Sequence, residues 1–250
     1  MAPESAAGGL GESTDEPLEV GRPPGSYRRE DVSFSSAGDL CAGWLYIPQG
    51  LGPHPAVILA HGLGGQRRFR LDAYGERFAE AGLAALVFDY RHFAESDGEP
   101  RQLVSIGRQL EDWRAALRFA RGHSLVAPRI ALWGTSLSAG HVQAIAAEDH
   151  EIAAVIAQVP LVNGRSVART VGPRQAIRLI WAAYRDRLRA LLGRDAYRIP
   201  IWGPPGTLAA MTAPGAAEAI RTKLLPPGDW DETMPARILG SPIHTPSPLT

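Results

Sequence analysis

Apolar residues follow two rhythms along this chain. Apolar runs at residues 56–60, 83–90 and 152–159, interrupted only by Asp89 and Gln158, have the length and composition of strands covered on both faces. Between them, apolar residues return every three or four positions. Residues 71–81, with Leu71, Tyr74, Phe78 and Ala79 on one side, predict a helix that Gly82 ends. Residues 106–120, with Ile106, Leu110, Trp113, Leu117 and Ala120, predict a second amphipathic helix. Residues 31–34 and 41–47 read as strands joined by a hairpin loop at 35–39. Residues 129–133 read as a strand that runs into a helix at 137–147. The order is β-β-β-α-β-α-β-α-β. Alternation after an antiparallel start builds a mostly parallel sheet with helices on both faces.

The pattern changes after residue 162. Residues 173–192 predict a long helix whose apolar stripe is Ile177, Ile180, Trp181, Tyr184, Leu188 and Leu191, with Arg174, Arg178, Arg185 and Arg189 off the stripe. It is expected to cap a site, with Trp181, Tyr184 and Trp202 lining an apolar acyl pocket. A basic amphipathic helix can also lie on a membrane surface. Residues 199–227 are rich in Pro and Gly, with a short helix over Ala216–Lys223, and no strand is predicted after Val159. At the other end, residues 1–27 have almost no large apolar side chains and are expected to be a disordered arm. The expected organisation is an arm (1–27), an α/β core (28–162), a helical cap region (163–230) and an irregular tail (231–250).

Composition narrows the function. Twenty-six basic and 26 acidic residues balance, which argues against a nucleic-acid binder. One cysteine, Cys41, excludes an internal disulfide framework and a cysteine-rich zinc site. The N-terminus has no basic and apolar signal segment, and no apolar run approaches the roughly 20 residues that cross a bilayer. A cytoplasmic protein without stable membrane insertion, metal or cofactor is expected.

The chemistry centres on residues 131–140, Ala-Leu-Trp-Gly-Thr-Ser-Leu-Ser-Ala-Gly. An apolar strand ends in Gly-Thr-Ser and small residues open a helix at once. A serine on such a corner, Ser136, presents its hydroxyl as a nucleophile. The alternative is a serine that only caps the helix. Ser138 stands where Gly-x-Ser-x-Gly has its last glycine, a position that needs a small residue. The amide of Leu137, at a helix N-terminus, is one candidate oxyanion donor. The amide of Leu63, in the glycine-rich loop His61-Gly62-Leu63-Gly64-Gly65, is the other. His61 is read as shaping that loop. His61, the loop after Asp89 and Ser136 all fall at carboxyl ends of strands, where such sheets bind ligands.

Residues 61–65, 88–98 (Phe-Asp-Tyr-Arg-His-Phe-Ala-Glu-Ser-Asp-Gly) and 133–141, with 157–160 (Ala-Gln-Val-Pro), resemble the α/β-hydrolases, in particular the dienelactone-hydrolase-like and serine-peptidase-like esterases. Ala94 replaces a usual glycine. The resemblance implies a serine hydrolase acting on a small-molecule ester or thioester through an acyl-enzyme. An acyltransferase of the same fold, or a non-catalytic ligand-binding remnant, remains open. It also implies an acid and then a histidine after the serine. Only His141, His150 and His244 follow Ser136. His141 is expected to pack inside the helix, and His150 lies at its far end. One expectation is that the last strands and their catalytic residues are missing, through truncation or a shifted frame. The exposed sheet edge could then pair in a homodimer. The other is that His244 folds back over Ser136, oriented by Asp231 or Asp229.

Overall fold

The computed structural model describes residues 25–161, 172–228 and 230–240. The expected arm (up to residue 24), Asp229 and His244 lie outside the described residues.

Strands β1 (Tyr27–Ser36) and β2 (Asp39–Pro48) form the expected hairpin, longer than the apolar run alone indicates. Then follow β3 (His54–Ala60), α1 (Leu71–Glu80), β4 (Ala84–Phe88), α2 (Ile106–Gly122), β5 (Val126–Thr135), α3 (Leu137–Glu148) and β6 (Ile152–Gln158). They build a six-stranded sheet in the order β1-β2-β4-β3-β5-β6. β2 meets β4 antiparallel, and β4, β3, β5 and β6 run parallel. The apolar runs reflect burial on both faces. Val57 and Leu59 face Leu71 and Ala79 of α1, together with Trp44, Tyr46 and Trp133. Ile58 and Ala60 join the larger core with Phe88, Trp113 and Leu117 of α2, and Val142 and Ile145 of α3.

β6 departs from expectation. Read as a buried strand, it is the sheet's edge: Ile156 is 42% exposed and Val159, just beyond it, 81%. Its apolar residues do not alternate, so sequence could not distinguish a central strand from an uncovered one.

A second layer follows: α4 (Pro173–Leu191), β7 (Arg198–Pro200), α5 (Ala216–Lys223), β8 (Thr233–Pro235) and a 3₁₀ turn over Ala236–Gly240. β7 and β8 pair antiparallel, although no strand was expected after Val159. Three-residue strands leave no periodic signal. Residues 233–240 of the expected irregular tail form β8 and the 3₁₀ turn, and Met234 and Ala236 are fully buried. This layer sits across the loops at the carboxyl ends of β3 and β4. The Arg198 guanidinium donates to the Arg101 carbonyl (2.9 Å), Gln102 donates to the Asp231 carbonyl, and Phe69 stacks edge-on to Trp230 (5.0 Å). Gly64, at φ 64°, is pressed so closely by Ile201 that any side chain there would collide with it.

The expected apolar stripe of α4 does not face inward. Ile177, Ile180, Trp181, Tyr184, Leu188 and Leu191 are exposed, and the buried face is Leu179, Ala182, Ala183 and Asp186. Trp181 and Tyr184 line an outer groove with Tyr197 and Leu208 that does not include Ser136, whereas Trp202 is buried in the core.

Candidate active site

β5 ends at Thr135, and the chain turns on Ser136 at φ 55°, ψ −114° before α3 begins. A non-glycine residue pays strain to sit there and persists only where neighbours hold it. They do: the Ser136 amide donates to the Gln158 carbonyl (2.9 Å), and the Ser136 carbonyl accepts from Leu161 (2.9 Å) and Ala139 (3.2 Å). Gly134 permits the bend, since a Cβ at that position would lie 2.4 Å from the Ser138 carbonyl oxygen. The hydroxyl of Ser136 does not cap α3 and makes no hydrogen bond with any described residue.

The glycine-rich loop after β3 lies against this serine. A Cβ on Gly62 would come within 3.0 Å of Ser136 Cβ and 3.6 Å of its Oγ. The next amide, that of Leu63, donates to no described acceptor. Leu137 opens α3, so its amide has no partner within the helix and sits at the positive end of the helix dipole. The structure thus brings Ser136 beside the loop that carries Leu63 and places the Leu137 amide at the bend.

Beneath the loop lies a buried charge cluster. Asp89, at the end of β4, accepts the Arg67 amide (2.6 Å) and its guanidinium, which also pairs with Glu95. Asp89 is fully buried, Arg67 nearly so, and Arg67 stacks over Trp44 (4.6 Å). Burial pushes the Asp89 carboxyl up to about 6 against the opposing pull of Arg67. His61 packs between Tyr90 (4.9 Å) and Phe93 (5.2 Å), and its Nδ1 donates to the Gly62 carbonyl at 2.9 Å. Its Nε2 stands 3.6 Å from Asp89. Burial lowers its pKa to about 4, so the ring is neutral and braces the loop.

Ser138 also has a use. Trp113 Nε1 donates to Tyr90 Oη (2.8 Å), which shares a hydrogen bond with Ser138 Oγ (2.8 Å). The serine in place of glycine therefore ties the first turn of α3 to the end of β4. His141 is fully buried, hydrogen-bonded to Gln109 at 2.9 Å, and burial lowers its pKa to about 3. Ala94, where a glycine was expected, takes the left-handed conformation at φ 43° despite its Cβ.

The candidate acid Asp231 is engaged elsewhere among the described residues. The carboxylate of Asp231 pairs with Arg198 and accepts from Thr233 Oγ1 (2.6 Å) and the Thr233 amide (3.0 Å), so it orients no described histidine. His150 is exposed at the far end of α3. Arg67 and Tyr90 were missed by sequence reading. Arg67 stands in a polar stretch, Gln-Arg-Arg, with no sign of burial, and Tyr90 closes an apolar run like any core aromatic. Among the described residues, no cluster of three or more His, Cys, Asp or Glu could hold a metal.

A mostly parallel sheet with flanking helices and a strained serine between strand and helix defines an α/β hydrolase. Within that class the chain belongs to the serine aminopeptidase, S33 family, whose model matches residues 52–196. It is 44% identical over 187 residues to the quorum-quenching protein AidA of Acinetobacter baumannii, an alignment covering 74% of this chain and 62% of that protein. It is 32% identical over 180 residues to a polyketide transferase of Aspergillus fumigatus, covering 71% of this chain and 59% of that one. Among solved structures it resembles the α/β hydrolase GrgF of Penicillium sp. sh18, with TM-score 0.71 and 27% identity over 86% of this chain and 74% of that one. The chain thus spans about three fifths of the length of these curated relatives.

Proposed function

We propose that the chain transfers acyl groups from small-molecule esters or thioesters to water through an acyl-enzyme on Ser136. The Oγ attacks the acyl carbon as its proton passes to water, the carbonyl oxygen becomes an oxyanion facing the Leu63 and Leu137 amides, and the bond to the leaving oxygen or sulfur breaks as that atom takes a proton back from water. Water then releases the acid. The observation that carries this reading is the uncapped, positive-φ serine against a glycine loop, with two amides left free. No general base is assigned, because no described histidine hydrogen-bonds Ser136.

Similarity to a polyketide transferase supports a second reading, in which an alcohol or amine replaces water as acceptor. One experiment tests both. The intact protein is treated with a fluorophosphonate probe, beside Ser136→Ala, and is then given a short activated ester with and without added alcohol or amine. Stoichiometric labelling lost in the variant supports the acyl-enzyme, and a new ester or amide product supports the second acceptor. No labelling of the folded wild-type chain overturns both and leaves a ligand-binding role.

A further inference from the structure

The outward stripe of α4 is unlike any other surface here. Six large apolar side chains, Ile177, Ile180, Trp181, Tyr184, Leu188 and Leu191, are between 44% and 85% exposed. They recur at three- and four-residue spacing, which gathers them within roughly 100° of the helix circumference. Arg174, Arg178, Arg185 and Arg189 follow the same spacing within an adjacent arc of roughly 60°, and border the stripe along one side.

The helix is pinned in this orientation. On its opposite face the buried Asp186 carboxylate accepts from the Tyr197 amide (2.8 Å), the Arg237 amide (2.9 Å) and Arg237 Nε (3.0 Å). Turning the stripe inward would break these three hydrogen bonds to the Asp186 carboxylate. Among the described residues, these bonds hold the stripe outward.

Charge decides what covers the stripe. Asp186 is the one acidic residue of α4, and it is spent inside. No described carboxylate pairs with the four bordering arginines. Arg178 donates to the Gly206 carbonyl (2.8 Å), Arg189 to the Asp195 carbonyl (2.7 Å), and Arg185 lies over Tyr197 (4.4 Å). These neutral partners orient the guanidinium groups and leave their charge intact. A second copy docked antiparallel, stripe to stripe, would set two such arginine rows side by side with no acidic residue of α4 to neutralise them. An anionic surface complements them, and Trp, Tyr and Arg are the side chains that suit the boundary between headgroup and acyl chain.

We propose that α4 is a membrane-surface docking helix. It seats its Ile177–Leu191 stripe among the acyl chains of an anionic phospholipid leaflet, with Arg174, Arg178, Arg185 and Arg189 at the phosphates. The helix lies in the plane of the interface and does not span it; no described helix is long and apolar enough to cross a membrane. An acyl-transfer site held at a lipid surface would receive substrates that partition there.

The test is flotation of the full chain with vesicles of phosphatidylcholine alone or mixed equally with phosphatidylserine. Binding is expected to the mixed vesicles only, and to be lost when salt shortens the Debye length to about 3 Å. Arg174→Glu with Arg178→Glu removes two surface cations and should weaken binding about thirtyfold or more, from roughly fivefold per arginine. Both residues are exposed, so the fold should hold. Trp181→Ser should weaken binding to the same vesicles. Equal binding to both vesicle types, no binding by the folded wild-type chain, or a concentration-dependent dimer that the same substitutions dissolve would each overturn the proposal.

Discussion

Ser138 illustrates how a single side chain can be misread and then explained. By motif it is a tolerated replacement for glycine, justified by size. In the fold its hydroxyl completes a buried chain from Trp113 through Tyr90 into the first turn of α3. Tyr90→Phe deletes the middle of that chain and leaves the indole N–H and the Ser138 hydroxyl without their partner. A loss of about 1–3 kcal/mol is expected from urea unfolding, and a loss under half a kcal/mol would show that water replaces the phenol. Ser136 itself was legible because its signals are local: an apolar strand, Gly-Thr-Ser and small residues within ten positions. The partner of Ser138 was not, because Tyr90 is 48 residues away and nothing in sequence pairs them. The same holds for Asp231. Its place in the chain suited a triad acid, but Arg198 takes its carboxylate across the β7–β8 pair.

Among elements, the order of strands and helices through β6 was readable, because strand and helix periods differ and parallel strands run apolar almost throughout. Two elements were read with the wrong face. A continuous apolar run cannot say whether β6 is central or marginal. An amphipathic stripe says that a helix has two faces, but on α4 the arginine-bordered apolar face is the outer one. What joins the elements at the site is likewise non-local. Arg67, on the loop after β3, grips Asp89 at the end of β4 and thereby sets the path of residues 61–67 beside Ser136. Arg67→Met leaves the Asp89 carboxylate buried without its countercharge. This should cost about 3–5 kcal/mol, measured by chemical unfolding, and Arg67→Met with Asp89→Leu should recover part of the loss. If the single substitution is tolerated like a surface change, the ion pair does not organise the loop.

At the scale of the whole molecule, formal charges cancel, so net self-repulsion does not set the response to pH near neutrality. Buried histidines set it. His61 and His141 have their pKa values lowered by burial from 6.5 to about 4 and about 3, and His61 adds to the lowering at His141. In the unfolded chain both return to about 6.5. Below that value the unfolded state takes up protons that the folded state refuses, so stability falls with falling pH until the folded pKa values are reached. The stability is fully present above pH 6.5. At about 1.4 kcal/mol for each pKa unit, the two rings contribute on the order of several kcal/mol. Asp89 works in the opposite sense, since a carboxyl raised from 3.8 to about 6 favours the folded state below 3.8 and loses that contribution as pH rises through about 6. Its displacement is smaller than that of the two histidines together, so their sign prevails. Urea unfolding from pH about 7 down to about 4 should show a steadily falling midpoint. His141→Gln keeps a hydrogen-bonding group against Gln109 and cannot take up a proton, so it should flatten that fall while lowering stability at neutral pH through lost packing. A variant with an unchanged slope would mean that His141 is solvated before the chain unfolds, and that the core between α2 and α3 opens locally first.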